Sequence, residues 1–409
     1  MRPSLSTLLL ASSLLLACKS AKEDSAPAAP AAPPSAPAAM KAAPKTTRVG
    51  LVLGLGGRGD QSFNDSALRG LEEWAAGVKY EGGGYKDLTP EERQASLQGS
   101  LGQDLARRDS PVEPLGITPV ILQSRVAEDY EPNLQLLADQ GVPLSLALGF
   151  LLENAVETAA KRDPEMHYLL VDSPLVSSQG EPYTLPNVRT VVFREEEGCY
   201  LVGALAGLAT KTNKVGFVGG MEIPLVKRYE AGFRAGVAAT NPKASVVANY
   251  TGSFTNFALG KQVGQDLLAK GSDVIFAAAG VDGLGAIQAV KEARDEGKAV
   301  YVLGVDSDPS HLAPKAVLSA VIKRVDLVVY EAVRDQVRGQ FRGGTQSLGL
   351  KEGGIAYAPV RLDFPGKDEA LRTLESLKAK IIAGEIQVPT HPSQLPAPRP
   401  SSPPGPKAP

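Results

Sequence analysis

The chain has 409 residues and a formal net charge of −2 at pH 7, with 43% hydrophobic and 22% charged residues. This balance excludes the basic surface with which proteins bind nucleic acid or an acidic membrane. Between two low-complexity ends lie about 340 residues, which is enough for two domains.

The N-terminus has the features of a secretory signal. Arg2 gives a positive start, and the apolar run 8–17 is shorter than the roughly 20 residues that span a bilayer. Residues 15–18, Leu-Leu-Ala-Cys, look like a bacterial lipobox, so residues 1–17 are predicted to be a signal peptide and Cys18 to be lipidated. The alternative is an ordinary signal peptide with an incidental cysteine. Lipidation would leave Cys199 without a disulfide partner.

Two segments are predicted to lack a core of their own. Residues 18–47 are rich in Ala and Pro and could not offset the entropy of ordering, so they are expected to form a tether. Residues 389–409 are Pro-rich and are expected to be a disordered tail. No other run is apolar and long enough for a transmembrane helix, so the lipid is the expected membrane contact.

Short apolar runs alternate with amphipathic stretches along the middle of the chain. The predicted strands are 48–54, 119–122, 142–148, 167–171, 190–193, 215–218, 244–250, 273–276 and 300–303. The predicted helices are 63–74, 130–140, 151–162, 196–211, 224–240, 257–270 and 285–296. Repeated βα units predict an α/β fold with parallel sheets covered by helices on both faces. The weakly patterned residues 77–118 are predicted to be an insertion.

So many strands favour two doubly wound lobes with a cleft between them. Ligands of open α/β sheets lie beyond the carboxyl ends of the strands, so the ligand is expected in this interlobe cleft. Lobe 1 is predicted to comprise residues 48–190 and 309–345, and lobe 2 residues 191–308 and 346–388.

Residues 54–59, Gly-Leu-Gly-Gly-Arg-Gly, match the G-x-G-x-x-G fingerprint of dinucleotide-binding proteins. That fingerprint also requires an acidic residue about 20 residues on, at the end of a second strand. Here the second clear strand begins only at Pro119, and an exported protein has no evident supply of nicotinamide cofactor. No cofactor is therefore expected, and the glycines are interpreted as allowing the backbone to approach a ligand closely.

Several segments resemble one protein family, in the family's order. Residues 60–64, Asp-Gln-Ser-Phe-Asn, resemble the D-x-S-F-N motif of the basic membrane protein family. Its members are lipoprotein receptors for purine nucleosides that feed ABC importers. The similarity continues in segments 192–197, 200–203, 214–224, 228–233, 273–280, 304–308 and 323–326. The stretch 82–115 is longer than expected for the family.

The resemblance implies a type I periplasmic-binding fold with two lobes and three crossover segments. It also implies an extracytoplasmic binding protein, not an enzyme, that acts as a monomer, takes a purine nucleoside and delivers it to ABC permease subunits. The implied ligand-binding residues are Asp60, Phe63, Asn64, Asn154, Tyr229, Gly280, Asp306 and Lys323.

The two aromatic residues of this set have alternative roles in the core. Phe63 could be the first core residue of its helix, and Tyr229 lies at helical spacing with Leu225 and Phe233. The resemblance implies instead that Phe63 and Tyr229 stack on the base from different lobes. Stacking of a base on an aromatic side chain is worth about 1–3 kcal/mol.

Asp60 could cap the start of the helix, because a carboxylate accepts hydrogen bonds from the free N–H groups there. A capping box of Ser62 with Asp65 is the alternative, and it would leave Asp60 free for the ligand. Asn64 lies on the first turn and is expected to reach the edge of the base.

Asp306 could be a turn acid and Lys323 a solvated lysine, since each follows a strand. The resemblance implies that Asp306 holds ribose hydroxyls and that Lys323 contacts ribose or base. Gly280 is expected to offer backbone groups to the ligand. The family often has an aspartate near Asn154, and because asparagine both donates and accepts, this residue bears on the identity of the base.

Residues 195–197, three consecutive glutamates, are predicted to be a solvated helix start favoured by the helix dipole.

Two other classes of function stay open. A nucleoside-processing enzyme could use Asp60 or Asp306 to activate water, but His167, His311 and His391 pair with no visible nucleophile and no metal-ligand spacing. A surface lipoprotein with an adhesive or signalling role would need no cleft chemistry. A metal site is not expected.

Overall fold

The computed structural model describes residues 46–101 and 111–395. The predicted signal peptide, Cys18 and all but the end of the tether lie outside the described residues, as do residues 396–409. Within the described ranges, no helix is long and apolar enough to cross a membrane.

Strands and helices alternate along most of the described chain. In chain order they are β1 (Thr47–Leu53), α1 (Phe63–Leu68), β2 (Val78–Glu81), β3 (Gly84–Asp87), α2 (Pro90–Leu101), β4 (Ile117–Gln123), α3 (Tyr130–Asp139), β5 (Leu144–Leu148), α4 (Glu153–Arg162), β6 (His167–Val171), β7 (Leu175–Val176), β8 (Pro182–Tyr183), β9 (Val188–Phe193), α5 (Glu195–Ala209), β10 (Lys214–Gly219), α6 (Pro224–Thr240), β11 (Ser245–Tyr250), α7 (Phe257–Ala269), β12 (Val274–Ala278), α8 (Gly280–Asp295), β13 (Tyr301–Asp306), β14 (Val317–Lys323), α9 (Val325–Val337), β15 (Gly344–Leu348), β16 (Ile355–Tyr357) and α10 (Lys367–Ile382). A π-helical segment, Arg69–Ala76, continues α1.

Two six-stranded sheets form the two lobes. The first has the strand order β15-β9-β6-β5-β1-β4, and all of its pairings are parallel. The second has the order β11-β10-β12-β13-β14-β16, in which only the β14–β16 pairing is antiparallel. Central strands such as β5 and β12 are buried along their whole length, as expected where helices cover both faces. The predicted α/β fold with two doubly wound lobes is confirmed.

Three segments join the lobes. The chain crosses between β9 and α5, between β14 and α9, and between β15 and β16. Helix α9 packs against α1 and the π-helical segment of the first lobe.

The predicted lobe boundaries need a correction. Lobe 1 is predicted to end first at residue 190, but β9 runs to Phe193 within the first sheet. Residues 309–345 are predicted to belong to lobe 1, but β14 pairs with β13 in the second sheet, so the second crossover follows Lys323. The apolar strand Val317–Lys323, which is buried on both faces, was missing from the predicted strands. The third crossover follows Leu348, because β15 pairs with β9 through that residue.

The ends of the folded region also differ slightly from expectation. Thr47, predicted to end the tether, is the first residue of β1. The first residues of the predicted disordered tail are ordered: a 3-10 turn, Pro392–Gln394, lies against α6.

The predicted insertion contains a hairpin and a helix. Strands β2 and β3 form a two-stranded antiparallel sheet apart from the two large ones, and α2 follows.

Candidate functional site

A cavity of about 320 Å³ lies between the lobes. Residues after β1, β5 and β6 line it from lobe 1, and residues at the ends of β10 to β14 line it from lobe 2. The carboxyl ends of both parallel sheets therefore meet at this cavity, as the strand topology predicts for a ligand site.

Seven of the eight predicted site residues line the cavity. They are Asp60, Phe63, Asn64, Tyr229, Gly280, Asp306 and Lys323. Asn154 does not, because its side chain is exposed on α4, which begins only after the segment Gly149–Leu151 that reaches the cavity. The structure thus does not bring Asn154 to the cavity, and its influence on the identity of the base stays a prediction.

Asp60 is the cap of helix α1. Its Oδ1 accepts from the amides of Ser62 and Asp65 at 3.0 and 3.1 Å, and its Oδ2 accepts from the amide of Asn64 at 2.8 Å. The alternative, a capping box of Ser62 with Asp65, is absent, since Ser62 makes no side-chain cap bond and Asp65 instead accepts from the amide of Gln61. Asp60 is therefore not released from capping by a Ser62–Asp65 box, since its carboxylate holds the backbone of the helix start, and its contact with a ligand stays a prediction.

Asn64 joins the helix to the glycine-rich turn. Its Oδ1 accepts from the amide of Gly54 at 2.9 Å, and its Nδ2 donates to Asp60 at 2.8 Å. One amide hydrogen and one lone pair remain for another partner. Its contact with the edge of a base stays a prediction.

Asp306 bridges the lobes. Its Oδ2 accepts from the hydroxyl of Ser62 in lobe 1 at 2.7 Å, and among the described residues this is the one hydrogen bond to its carboxylate. The side chain is buried, and this burial raises the pKa of Asp306 to about 6, although the cation of Lys323 and the Ser62 bond act in the opposite direction. The second oxygen, Oδ1, is left for a ligand that donates hydrogen bonds.

Lys323 is a buried cation at the end of β14. Its Nζ lies 2.8 Å from each carboxylate oxygen of Asp172 and 3.2 Å from Oε1 of Glu195. The contact with Glu195 is ionic only, because the geometry is not that of a hydrogen bond. Burial alone would lower the pKa of Lys323, but Asp172, Glu195 and Asp306 together raise it above its ordinary value. The alternative of a solvated lysine is excluded.

Aromatic rings surround this cation on three sides. The Nζ of Lys323 lies 5.4 Å from the ring centre of Phe63, 5.2 Å from that of Phe193 and 5.6 Å from that of Tyr229. Phe63 is half-buried on lobe 1, whereas Tyr229 is 5% exposed on lobe 2. Both rings line the cavity from different lobes, and their stacking on a base stays a prediction.

Gly280 opens helix α8 at the cavity wall. Its φ of +54° lies in the left-handed region, and a Cβ there would come within 3.1 Å of the carbonyl oxygen of Phe254. The next amide, that of Val281, donates to the same carbonyl at 3.0 Å. A side chain at this position would strain the backbone and would require Phe254 to shift by a few tenths of an ångström.

The glutamates 195–197 are not a solvated helix start. Glu195 is fully buried and Glu196 is 6% exposed. Glu195 Oε2 lies 3.3 Å from Nη1 of Arg228, whose Nη1 also donates to the carbonyl of Phe193 at 2.8 Å. Burial raises the pKa of Glu196 to about 7. These charges pack into the first crossover, beneath the cavity.

The cavity residues that sequence reasoning missed include Asp172 and Phe254. Asp172 directly follows the buried strand β6, and an acid in that position is a usable signal. Its φ is +71°, and the corresponding φ values of Asp306 and Gln61 are +65° and +51°. Three of the four described non-glycine residues with positive φ thus lie in or beside the cavity.

The described residues give the cavity neither a histidine nor a metal-binding cluster. None of the three histidines lines it, and the described residues contain no group of three or more His, Cys, Asp or Glu placed to hold a metal ion.

A family model described as ABC transporter substrate-binding protein PnrA-like matches residues 48–391. The chain belongs to this family. The family is one of substrate-binding proteins and not of enzymes.

Named relatives of the chain support its assignment to the PnrA-like family. The chain is 32% identical to a CD4+ T-cell-stimulating antigen of Listeria monocytogenes, over 94% of this chain and 97% of that protein. It is 30% identical to an ABC transporter nucleoside-binding protein, BmpA, of Lactococcus lactis subsp. cremoris, over 84% of this chain and 89% of that protein. It is 29% identical to basic membrane protein A1 of Borrelia garinii, over 81% and 85%. The resemblance to the basic membrane protein family is thereby confirmed.

Solved structures agree with the fold of this PnrA-like chain. An ABC transporter solute-binding protein of Aeropyrum pernix K1 superimposes with a TM-score of 0.67 at 28% identity, covering 84% of this chain and 93% of that one. A second solute-binding protein, from Conexibacter woesei, has a TM-score of 0.59 at 21% identity, covers 84% of this chain and 99% of that one, and supports the fold alone. The predicted periplasmic-binding type of fold is confirmed.

Proposed function

We propose that this protein binds a purine nucleoside in the interlobe cavity and delivers it to an ABC importer. The observation that carries the proposal is the pairing of two unlike surfaces in one cavity. Phe63 and Tyr229 offer aromatic faces, and Asp306 and Lys323 offer a buried carboxylate and cation beside them. A nucleoside has the same division into a flat base and a hydroxyl-rich sugar.

The size of the cavity fits this ligand class. Its volume of about 320 Å³ lies at the small end of the range, about 300–1,000 Å³, of small-molecule sites. An ionised Asp306 accepts hydrogen bonds only, so it suits the two hydroxyl donors of a ribose. Stacking favours a purine, because the larger ring system covers more of each aromatic face.

Lobe closure is the step that would present the ligand to the permease. A ligand favours the closed form only by binding it better than the open form. Two contacts between the lobes, Ser62 with Asp306 and Asp172 with Lys323, lie at the cavity itself. A ligand that touches these groups would therefore change the balance between the open and closed forms.

The decisive experiment identifies the ligand directly. Native mass spectrometry of protein purified without added ligand is expected to reveal a bound nucleoside, and calorimetry with a nucleoside panel to rank purines first. Binding of sugars or amino acids with no nucleoside binding would overturn the proposal. Release of free base from inosine would show an enzyme instead.

We further propose that the mature protein is a monomer outside the cytoplasm, anchored through a lipid on Cys18. Fractionation of cells making the full chain is expected to place it with the membranes. A Cys18→Ser variant is expected to lose both the lipid and this membrane association. A membrane-bound Cys18→Ser variant would contradict the anchor.

A further inference from the structure

The glycine-rich turn, residues 54–59, lines the cavity through Gly54, Leu55 and Gly56. Gly57 adopts a φ of +63°, and its amide donates to the carbonyl of Gly54 at 2.9 Å. Glycine-rich backbone loses much conformational freedom when it is ordered, so a turn of this kind needs contacts from outside to hold its shape.

Arg58 supplies such a contact on the side of the turn away from the cavity. Its guanidinium forms two bonds to the carboxylate of Glu72, with Nη1–Oε2 at 3.0 Å and Nη2–Oε1 at 2.6 Å. Glu72 lies on the π-helical segment, and its side chain is 4% exposed. A bidentate pair of this type fixes orientation as well as distance, so it anchors the turn to a helix of lobe 1.

The hairpin β2–β3 covers this ion pair. The ring centre of Tyr80 lies 4.5 Å from the guanidinium carbon of Arg58, and the hydroxyl of Tyr85 donates to Oε1 of Glu72 at 2.6 Å. Tyr80 and Tyr85 face each other across the hairpin with ring centres 5.4 Å apart. Although both tyrosines are close to half exposed, each contacts one member of the pair.

We propose that the hairpin of the insertion clamps the glycine-rich turn through Arg58, and thereby raises the affinity of the cavity for its ligand. Arg58, Glu72, Tyr80 and Tyr85 do not line the cavity, so they are positioning residues. A turn already held in its binding conformation loses less entropy when ligand arrives. The inference rests on the proposed function only for the identity of the ligand.

Two variants test the clamp. Calorimetry with inosine and guanosine is expected to give a Kd about two- to fivefold weaker for Tyr80→Ala, which loses a cation–π contact. Arg58→Ala loses the bidentate pair and is expected to weaken binding about tenfold. Hydrogen exchange of residues 54–59 in the ligand-free protein is expected to be faster in both variants.

Two controls separate positioning from general stability. Lys86→Ala removes an exposed ion pair with Glu81 on the same hairpin and is expected to change neither affinity nor exchange. Val156→Ala opens the buried core of lobe 1 and is expected to lower Tm while leaving Kd unchanged.

Each outcome has a distinct meaning. Wild-type affinity in both Tyr80→Ala and Arg58→Ala would overturn the clamp, whatever their exchange rates. A wild-type protein that binds no nucleoside would overturn the proposed function instead. If the wild-type protein binds no nucleoside, the hydrogen-exchange rates of residues 54–59 still test the clamp. Rates in the variants equal to those of wild type would overturn the clamp as well.

Discussion

Asp306 gives ligand binding a dependence on pH. Its carboxylate faces Lys323, Asp172 and Asp60, and burial raises its pKa to about 6 in the ligand-free protein. If Asp306 holds the ribose as proposed, only its ionised form accepts the hydroxyls, so nucleoside affinity is expected to fall as the pH drops below about 6. Titration calorimetry between pH 5 and 8 measures this, and an Asp306→Asn variant is expected to bind weakly with a flat profile.

The same residue affects folding with a defined sign. An acid whose pKa is raised in the folded state, here from 3.8 to about 6, binds more protons folded than unfolded. Its contribution to stability is present below about pH 4 and is lost as the pH rises through about 6. Urea unfolding without ligand is therefore expected to show a smaller loss of stability from pH 4 to 7 in Asp306→Asn. An equal loss in both proteins would assign the dependence to other groups, such as Glu196.

A substitution at Phe63 tests whether its ring stacks on the base. Phe63→Ala is expected to weaken nucleoside binding by about 1–3 kcal/mol, which is about 5- to 150-fold, with little change in Tm because the ring is only half-buried. Phe257→Ala is the matched control, since that ring is 43% exposed and does not line the cavity. Equal affinities for the two variants would remove Phe63 from the site.

Asn154, on helix α4, is the one predicted site residue that lies outside the cavity. Asn154→Asp restores the residue that the family often has, yet the side chain is exposed on α4. Affinity and base preference are expected to stay within about 0.5 kcal/mol of wild type, as for ordinary surface substitutions. A switch in base preference, measured with inosine, guanosine and adenosine, would return Asn154 to the site.

The spacing of apolar residues along the chain made most of the strands and helices predictable. The strand β12 and the helix α6 follow from an uninterrupted apolar run and from helical spacing of apolar residues. The parallel topology also predicts that Asp306 and Lys323 meet at one edge of the sheet, because each of them is the last residue of its strand. The strand β14 was missed, although its seven residues are mostly apolar.

The partners of individual polar groups could not be predicted. Ser62 is a plausible cap by sequence, yet its hydroxyl binds Asp306, which lies 244 positions away along the chain. Likewise, a run of glutamates is usually solvated, but Glu195 is buried because Lys323 and Arg228 are brought to it from other elements. Tertiary packing alone determines which polar groups pair. The local propensity of a residue is the same whether its side chain is solvated or meets a partner from a distant part of the chain.

The two lobes share a buried ionic cluster at the wall of the cavity. Lys323 ends β14, and it contacts Asp172 of lobe 1 and Glu195 at the first crossover. Lys323→Met would remove the cation of Asp172 and one of the two cations beside Glu195, and it is expected to destabilise the protein by about 3–5 kcal/mol in urea unfolding. Adding Glu195→Gln to this variant is expected to restore part of that loss. A Lys323→Met protein as stable as wild type would show that solvent reaches the cluster.

Backbone strain at the cavity has a consequence for protein engineering. Asp172 and Asp306 hold left-handed conformations at the ends of β6 and β13, and such a conformation in a non-glycine residue costs of order 1–3 kcal/mol. A mutant library screened for heat tolerance at pH 7 without ligand is therefore expected to accumulate glycine or asparagine at position 306, where the ionised carboxylate adds no stability above about pH 6. The same change at position 172 would leave the buried Lys323 without its nearest carboxylate, so it is not expected to be selected. The most stable clones would then have lost one of the carboxylates that line the cavity. A robust biosensor built on this scaffold would need its stabilising changes in the helices and outer loops, with Asp306 kept unchanged.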